Sequence, residues 1–201
     1  APGRQAIAPK ATPITETVAG RPSRLLTIKP GIYNRLAFPA FPILVTPRGP
    51  LPKARRVLYY SCTVSSQGLR GSKVYSRKSS PDRFRVGVIG TGVTFGEGVE
   101  DHEIFTRLLQ QKLNNEPPIK RRFEVINFGV PCMTTNYAAA HFWVNRHRYE
   151  VDFWIFLLGV NDALPMFNRS LEAYQDDVRT FLGEVRSSGV DFLMTVEPVN
   201  T

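Results

Sequence analysis

Four short apolar segments alternate with three longer segments of helical periodicity in the second half of the chain, and this alternation most constrains the fold. The apolar segments, which predict strands, are residues 84–89, 123–128, 152–158 and 190–196. The predicted helices are residues 101–115, a segment from Thr134 or Thr135 to about Arg148, and a segment from Ser170 to Gly189. Alternating strands and helices form right-handed βαβ units around a parallel sheet. The sequence therefore predicts an α/β domain.

The formal net charge of +9 on the 201 residues is unevenly distributed. Residues 1–83 contain 15 Lys/Arg and 2 Asp/Glu, a net charge of +13, whereas residues 84–201 contain 11 and 15, a net charge of −4. Such asymmetry indicates a basic segment that meets an anionic partner. The basic half has no aromatic-interleaved RNA-binding pattern, which disfavours nucleic acid as that partner. No run of about 18 apolar residues predicts a transmembrane helix.

An extended, basic, proline-rich arm is predicted for residues 1–56. Residues 1–53 contain 10 of the 16 prolines, and proline removes a hydrogen-bond donor and fixes φ, so we expect irregular structure. Residues 32–45 are apolar and aromatic but contain Pro39 and Pro42. This stretch either pins the arm onto the domain or contacts a partner or a membrane interface. Residues 57–83 are predicted as a lead-in strand and a basic connection, and residues 84–201 as the α/β domain.

Three glycine-containing loops, at residues 90–98, 129–135 and 159–165, follow the predicted strands. In open parallel sheets, ligands bind at the carboxyl ends of the strands. The loops begin with GTGVTFGEG at Gly90, with GVP at Gly129 and with GVND at Gly159. Neither G-x-x-x-x-G-K-[ST] nor G-x-G-x-x-G is present, so the first loop is not a phosphate-binding loop.

The three loops, in this order, resemble the three signature blocks of the SGNH, or GDSL, hydrolases. Residues 67–71 (QGLRG) also resemble a segment that precedes the first block in some bacterial members. The resemblance covers roughly residues 57–201. It implies a three-layer, flavodoxin-like α/β domain built on a parallel sheet, which the basic N-terminal arm precedes.

The resemblance also implies that the family's catalytic groups are incomplete here. The nucleophilic serine of the first block corresponds to Gly92, and the aspartate before it corresponds to Thr91. Two oxyanion donors are kept, the backbone N–H of Gly129 and the side chain of Asn161, so Gly92, Gly129 and Asn161 outline a vestigial oxyanion pocket. Because both the serine and the preceding aspartate of the block are replaced, the sequence favours natural degeneration over an engineered removal of the nucleophile.

The loops contain two further residues that the resemblance assigns, Thr94 and Asp162, and we expect both to brace the loops. The late D-x-x-H block, which supplies the family's base, does not occur. Either the sequence is truncated after the fourth strand or the protein lacks the segment that contains this block. Without a base, a hydroxyl is a poor nucleophile.

Three hypotheses for the function follow. The leading one is a catalytically silent SGNH-like subunit, a structural or binding component of a larger assembly that is tethered by its basic arm. The alternative is a serine esterase for acyl or acetyl esters, glycans included, in an inactivated or truncated form. The third is a remnant that still binds a small acyl or sugar ligand. No metal or cofactor is implied, and the sequence favours an extracytoplasmic location, periplasmic or at an anionic membrane surface.

Partner contacts are predicted for basic and aromatic residues of the first 83 positions. These candidates are Tyr33, Phe38, Phe41, Arg55, Arg56, Arg70, Lys73, Arg77 and Lys78. The two cysteines, Cys62 and Cys132, form no zinc pattern and are compatible with one disulfide or with two thiols. We predict that His102, His141 and His147 are ordinary helix residues.

Overall fold

The N-terminal segment forms strands rather than irregular coil. The computed structural model describes residues 11–18, 20–39, 45–46, 49–50 and 57–196. Strand β1 (Ala11–Val18) pairs antiparallel with β2 (Arg21–Ile28). Strand β3 (Gly31–Pro39) is followed by the short pair β4 (Val45–Thr46) and β5 (Gly49–Pro50), and it pairs antiparallel with β6 (Val57–Val64). The expectation of irregular structure is therefore wrong for these residues, because two-stranded sheets contain only edge strands, where proline is tolerated.

The α/β pattern of the second half is confirmed. Strands β7 (Arg83–Gly90), β8 (Arg122–Gly129), β9 (Phe153–Leu158) and β10 (Asp191–Val196) form a parallel sheet in the order β10-β9-β7-β8. The helices are α1 (Gly92–Phe95), α2 (Phe105–Asn115), α3 (Thr135–Arg148) and α4 (Leu171–Ser187). The strand order is that of a flavodoxin-like sheet.

Helices cover both faces of this sheet, so the domain has three layers. On one face, Phe105 of α2 packs against the apolar side chains of β7, β8 and β9. On the other face, the ring of Phe142 in α3 lies 5.2 Å from the ring of Trp154, and Phe181 in α4 lies 4.7 Å from Phe156. Within the described part of the chain, no helix is long and apolar enough to span a membrane.

Helix α2 begins at Phe105 rather than at the predicted Asp101. Tertiary contacts cause the difference, because the acidic residues before the helix bind the backbone of β6. Glu100 Oε1 accepts a hydrogen bond from the N–H of Ser61 at 2.9 Å, and the Asp101 carboxylate accepts one from Thr63 at 3.1 Å. These carboxylates accept the backbone hydrogen bonds that a neighbouring strand would otherwise accept from this part of β6.

The hairpin of β1 and β2 is attached to α3 and α4 by polar contacts. The backbone N–H of Leu26 donates to Nε2 of His141 at 3.0 Å, and Arg21 pairs with Glu184 at 2.6 Å. Burial, together with the positive charge of Arg148, lowers the pKa of His141 to about 4. The buried imidazole is therefore neutral at neutral pH, which lets Nε2 act as an acceptor.

The parallel topology sorts charges between the two edges of the sheet. Basic residues that precede β7, β8 and β9 lie at the amino-end edge: Arg77, Lys78, Arg83, Lys120, Arg121, Arg122, Arg146 and Arg148. Asp82, Glu150 and Asp152 are also at this edge, which keeps an excess of positive charge. The loops at the carboxyl-end edge carry Glu97, Glu100, Asp101 and Asp162. The edge that carries the three loops is thus the acidic one.

Candidate functional site

The three loops meet at the carboxyl ends of β7, β8 and β9. Gly90 lies opposite Gly129 in the pairing of β7 with β8, and opposite Leu157 in the pairing of β7 with β9. The side chain of Asn161, in the third loop, donates from Nδ2 to the carbonyl of Met133, in the second loop, at 2.8 Å. The structure therefore brings residues of all three sequence blocks to one edge of the sheet.

The first loop turns sharply after β7 and enters the one-turn helix α1. The hydroxyl of Thr91 caps this turn, accepting from the N–H of Val93 at 3.4 Å. Thr94 is buried against Gly90, where a β-carbon would overlap Oγ1 of Thr94. The carbonyl of Thr94 accepts a hydrogen bond from Nδ2 of Asn127 at 2.7 Å. Thr94 thus joins the first loop to β8 through its backbone.

The carboxylate of Glu97 occupies the space beside Gly92. A β-carbon built on Gly92 would overlap Oε2 of Glu97 and would lie 2.9 Å from its Cδ. Burial raises the pKa of Glu97, and the guanidinium of Arg70 opposes this rise. The sequence motif does not predict a site role for Glu97. The signal that could have indicated one is an acidic residue within a block that lacks its nucleophile. The Glu97 carboxylate therefore fills the space that any side chain at position 92 would enter.

Both candidate oxyanion donors, the N–H of Gly129 and the side chain of Asn161, form hydrogen bonds within the protein. The N–H of Gly129 donates to Oδ1 of Asn127 at 2.9 Å, and Asn161 donates to Met133. A β-carbon on Gly129 would overlap the backbone nitrogen of Phe95, so the first and second loops are in direct backbone contact. An oxyanion hole requires donors that point at the oxyanion. The N–H of Gly129 would have to break its internal bond to serve as one.

Asp162 links the third loop to the start of α3. Its carboxylate accepts from the N–H of Thr135 at 3.0 Å and from the Thr135 hydroxyl at 2.8 Å. Arg169 approaches the same carboxylate, with 3.2 Å between Nε and Oδ1. A carboxylate at a helix N-terminus is favourable because the helix dipole is positive there. The position of Asp162 is thus that of a loop-bracing residue.

Arg70 is a buried structural residue, which corrects its assignment to a partner surface. Its side chain is 0% exposed, and Nε lies 2.7 Å from Oδ1 of Asp101. The guanidinium also donates to the carbonyls of Gly96 at 3.0 Å and Val99 at 2.8 Å, and it lies 5.0 Å from the ring of Phe95. Arg70 therefore holds the end of the first loop against β6 and is not accessible to a partner.

The other partner candidates differ in their accessibility. Lys73 is half-exposed and donates to Glu124 at 2.6 Å, whereas Arg77 and Lys78 are exposed. Tyr33 is half-buried, packs against the core and donates its hydroxyl to the carbonyl of Lys29 at 2.7 Å. Four candidates cannot be placed, because Arg55, Arg56, Phe41 and the side chain of Phe38 lie outside the described residues.

The cysteines and histidines do not complete a catalytic group in the loops. Both thiols are free; Cys62 is buried, which raises its pKa to about 11, and Cys132 is exposed. His102 is exposed, and Nδ1 of His147 lies 2.6 Å from the carbonyl of Trp143 within α3. Among the described residues, no group of three or more His, Cys, Asp or Glu could hold a metal ion.

Comparison with known proteins gives structural neighbours only. No protein-family model matches the chain, and no curated protein matches it. AlinE4, an SGNH-hydrolase family esterase, is 21% identical over 58% of this chain and 60% of its own, with a TM-score of 0.47. The psychrotrophic esterase EstA from Pseudoalteromonas sp. is 17% identical over 57% and 61%, with a TM-score of 0.48. A carbohydrate acetylesterase family member from Sinorhizobium meliloti is 19% identical over 57% and 63%, with a TM-score of 0.45.

In each of these comparisons the chain spans less than two thirds of the other protein's length. The identities lie near 20%, a level at which the similarity concerns the fold. The structural neighbours of this α/β chain include members of the SGNH/GDSL hydrolase family, the family that its three loop blocks resemble.

Proposed function

We propose that the chain is a catalytically silent SGNH-hydrolase-like subunit that acts by binding within a larger assembly. The observation that carries this proposal is the Glu97 carboxylate beside Gly92. Attack on an acyl carbonyl needs a hydroxyl or thiol that a nearby base can deprotonate. Gly92 supplies no hydroxyl, and a carboxylate at this point repels the negative charge that develops on the substrate oxygen.

The hydrogen bonds of the two remaining donors also support the proposal. One oxyanion-hole donor typically contributes about 3–4 kcal/mol to transition-state stabilisation. Here the N–H of Gly129 bonds to Asn127, and Asn161 bonds to Met133. None of the chain's three histidines forms a hydrogen bond with a described residue of the three loops. Among the described residues, this edge therefore has no pair of nucleophile and general base of the kind that a serine esterase requires.

Hydrolysis assays test the absence of catalysis. The purified chain and the variants Gly92→Ser, Gly92→Ala and Asn161→Ala would be assayed with p-nitrophenyl acetate and acetylated xylan, and circular dichroism would check folding. We expect every rate to equal the rate in buffer. Turnover by the unchanged chain that Asn161→Ala abolishes would contradict the proposal. Turnover by Gly92→Ser but not by Gly92→Ala would also contradict it, and would support the alternative of an inactivated esterase.

Gel filtration tests the role in an assembly. The chain would be followed with an antibody in an extract of its source cells and compared with the purified recombinant chain. We expect the chain from the extract to elute at an apparent mass well above that of a single chain. This apparent mass should decrease when the salt concentration is raised. Elution of both samples at the mass of one chain, at physiological salt, would count against a subunit role.

A further inference from the structure

A separate cleft lies beside the C-terminal end of α3, on the amino-end side of the sheet. It has a volume of about 630 Å³, within the roughly 300–1,000 Å³ typical of small-ligand sites. The β1–β2 hairpin forms one wall, and residues 66–77 with the end of α3 form the other. We call this recess the hairpin cleft. It lies at the opposite edge from the three loops, so its function does not depend on the function proposed above.

The charge of the hairpin cleft is positive. Lys29, Arg77 and Arg148 line it, and Glu16 is its acidic lining residue. Glu16 pairs with Arg148. Lys29 and Arg77 are exposed and form no ion pair with any residue that the structure describes. Within the described part of the chain, two positive charges in this recess are therefore uncompensated, and a cleft of this kind concentrates anions because its walls focus the potential.

The walls of the cleft are fixed by hydrogen bonds that leave these cations free. Gln67 bonds to Tyr75 twice, from Nε2 to the carbonyl and from Oε1 to the N–H, each at 2.8 Å. The carbonyl of Arg77 accepts from the side chain of Arg85 at 3.1 Å and from the N–H of Glu150 at 2.9 Å. The backbone of Arg77, an exposed residue that lines the cleft, is thus held in place.

The two tyrosine side chains of the cleft carry no negative charge that would repel an anion. Burial raises the pKa of Tyr75 to about 12 and also raises the pKa of Tyr149. Both side chains are neutral at physiological pH. Their rings provide an apolar surface beside the two cations, a combination typical of sites that bind a small organic anion.

We propose that the hairpin cleft binds a small ligand that carries a carboxylate or phosphate group, with Lys29 and Arg77 as its cationic anchors. Guanidinium groups bind carboxylates and phosphates through two parallel hydrogen bonds, and an ammonium adds a compact positive charge. Citrate and inorganic phosphate are suitable probes because they separate the two anionic groups.

Isothermal titration at constant ionic strength tests the site. We expect the chain to bind at least one of the two probes, and the preferred probe identifies the anionic group. Arg77→Gln and Lys29→Gln should each weaken binding about tenfold, the loss typical of one charged hydrogen bond. Lys78→Gln is the matched control, because it removes the same charge from the neighbouring exposed residue, which does not line the cleft. It should change the affinity less than about twofold.

Two results would overturn the proposal. One is the absence of binding heat with either probe up to about 10 mM, a concentration at which even weak sites fill. The other is an equal loss of affinity in Lys78→Gln and Arg77→Gln, which would show diffuse surface charge rather than a site. Unchanged circular dichroism spectra and melting temperatures ensure that the variants are folded, as expected because Arg77 makes its structural contacts through its backbone.

Discussion

Replacement of Arg70 by alanine should strongly destabilise the fold. The guanidinium is 0% exposed and makes contacts of 2.7 Å to Asp101, 3.0 Å to the carbonyl of Gly96 and 2.8 Å to that of Val99. Removing one partner of a buried ion pair typically costs about 3–5 kcal/mol. The side chain of Asp101 is 32% exposed, so water can solvate part of the orphaned carboxylate. We therefore expect a loss near the lower end of this range, about 3 kcal/mol.

Urea unfolding, followed by tryptophan fluorescence and far-UV circular dichroism, measures this loss. Arg179→Ala is the matched control, because Arg179 pairs with Asp176 on an exposed face of α4 and should contribute less than about 0.5 kcal/mol. Arg70→Met keeps most of the volume but no hydrogen bonds, and should still lose about 2 kcal/mol or more. Equal stability of Arg70→Ala and Arg179→Ala, or full rescue by methionine, would refute the argument that the hydrogen bonds of Arg70 stabilise the first loop.

Two further substitutions and one control test the loops and the hairpin. The pKa of His141 is about 4 in the folded chain and about 6.5 when unfolded, so stability is lost as pH falls from about 6.5 towards 4 because the unfolded state binds more protons. This loss is about 2 kcal/mol of unfolding free energy at pH 5. His141→Gln should therefore reduce the difference between the urea midpoints measured at pH 7.5 and at pH 5. An unchanged difference would contradict the lowered pKa of His141. Gly129→Ala would place a β-carbon on the backbone of Phe95 and should cost about 2–3 kcal/mol in thermal unfolding. Gly183→Ala, which meets no atom within 4 Å in mid-helix, should instead stabilise by up to about 1 kcal/mol, and equal effects of the two alanines would disprove the steric argument.

The sheet and its helices could be predicted because their residues follow regular local patterns. Each of the four predicted strands begins and ends within one residue of an observed strand. Ser170, predicted as a helix cap, accepts a hydrogen bond from the N–H of Ala173 at 3.1 Å. The N-terminal hairpin was not predictable in this way, because proline breaks the alternation that marks a strand. The hairpin is fixed instead by partners far along the chain, such as His141 for Leu26.

The candidate site could be predicted only where motif spacing determines position. The spacing correctly places Gly92, Gly129 and Asn161 at the ends of successive strands. It gives no information on Glu97, whose side chain turns back towards Gly92, or on Arg70, whose partner Asp101 lies 31 residues away. Such contacts depend on the path of the loops in space. The sequence therefore predicts partner contacts for Arg70 and Arg77 alike, although the fold buries Arg70 and exposes Arg77.

The opposite charges of the two sheet edges give the domain an electric dipole along its strands. In the field of an anionic partner, such a dipole turns the molecule so that the edge with Arg77, Lys120 and Arg146 approaches first. The torque acts over about one Debye length, roughly 8 Å at physiological ionic strength, so the molecule is oriented before any contact forms. The edge that carries the three loops then faces away from that partner and remains exposed to solvent. A second protein could therefore bind the loop edge while the basic edge is occupied.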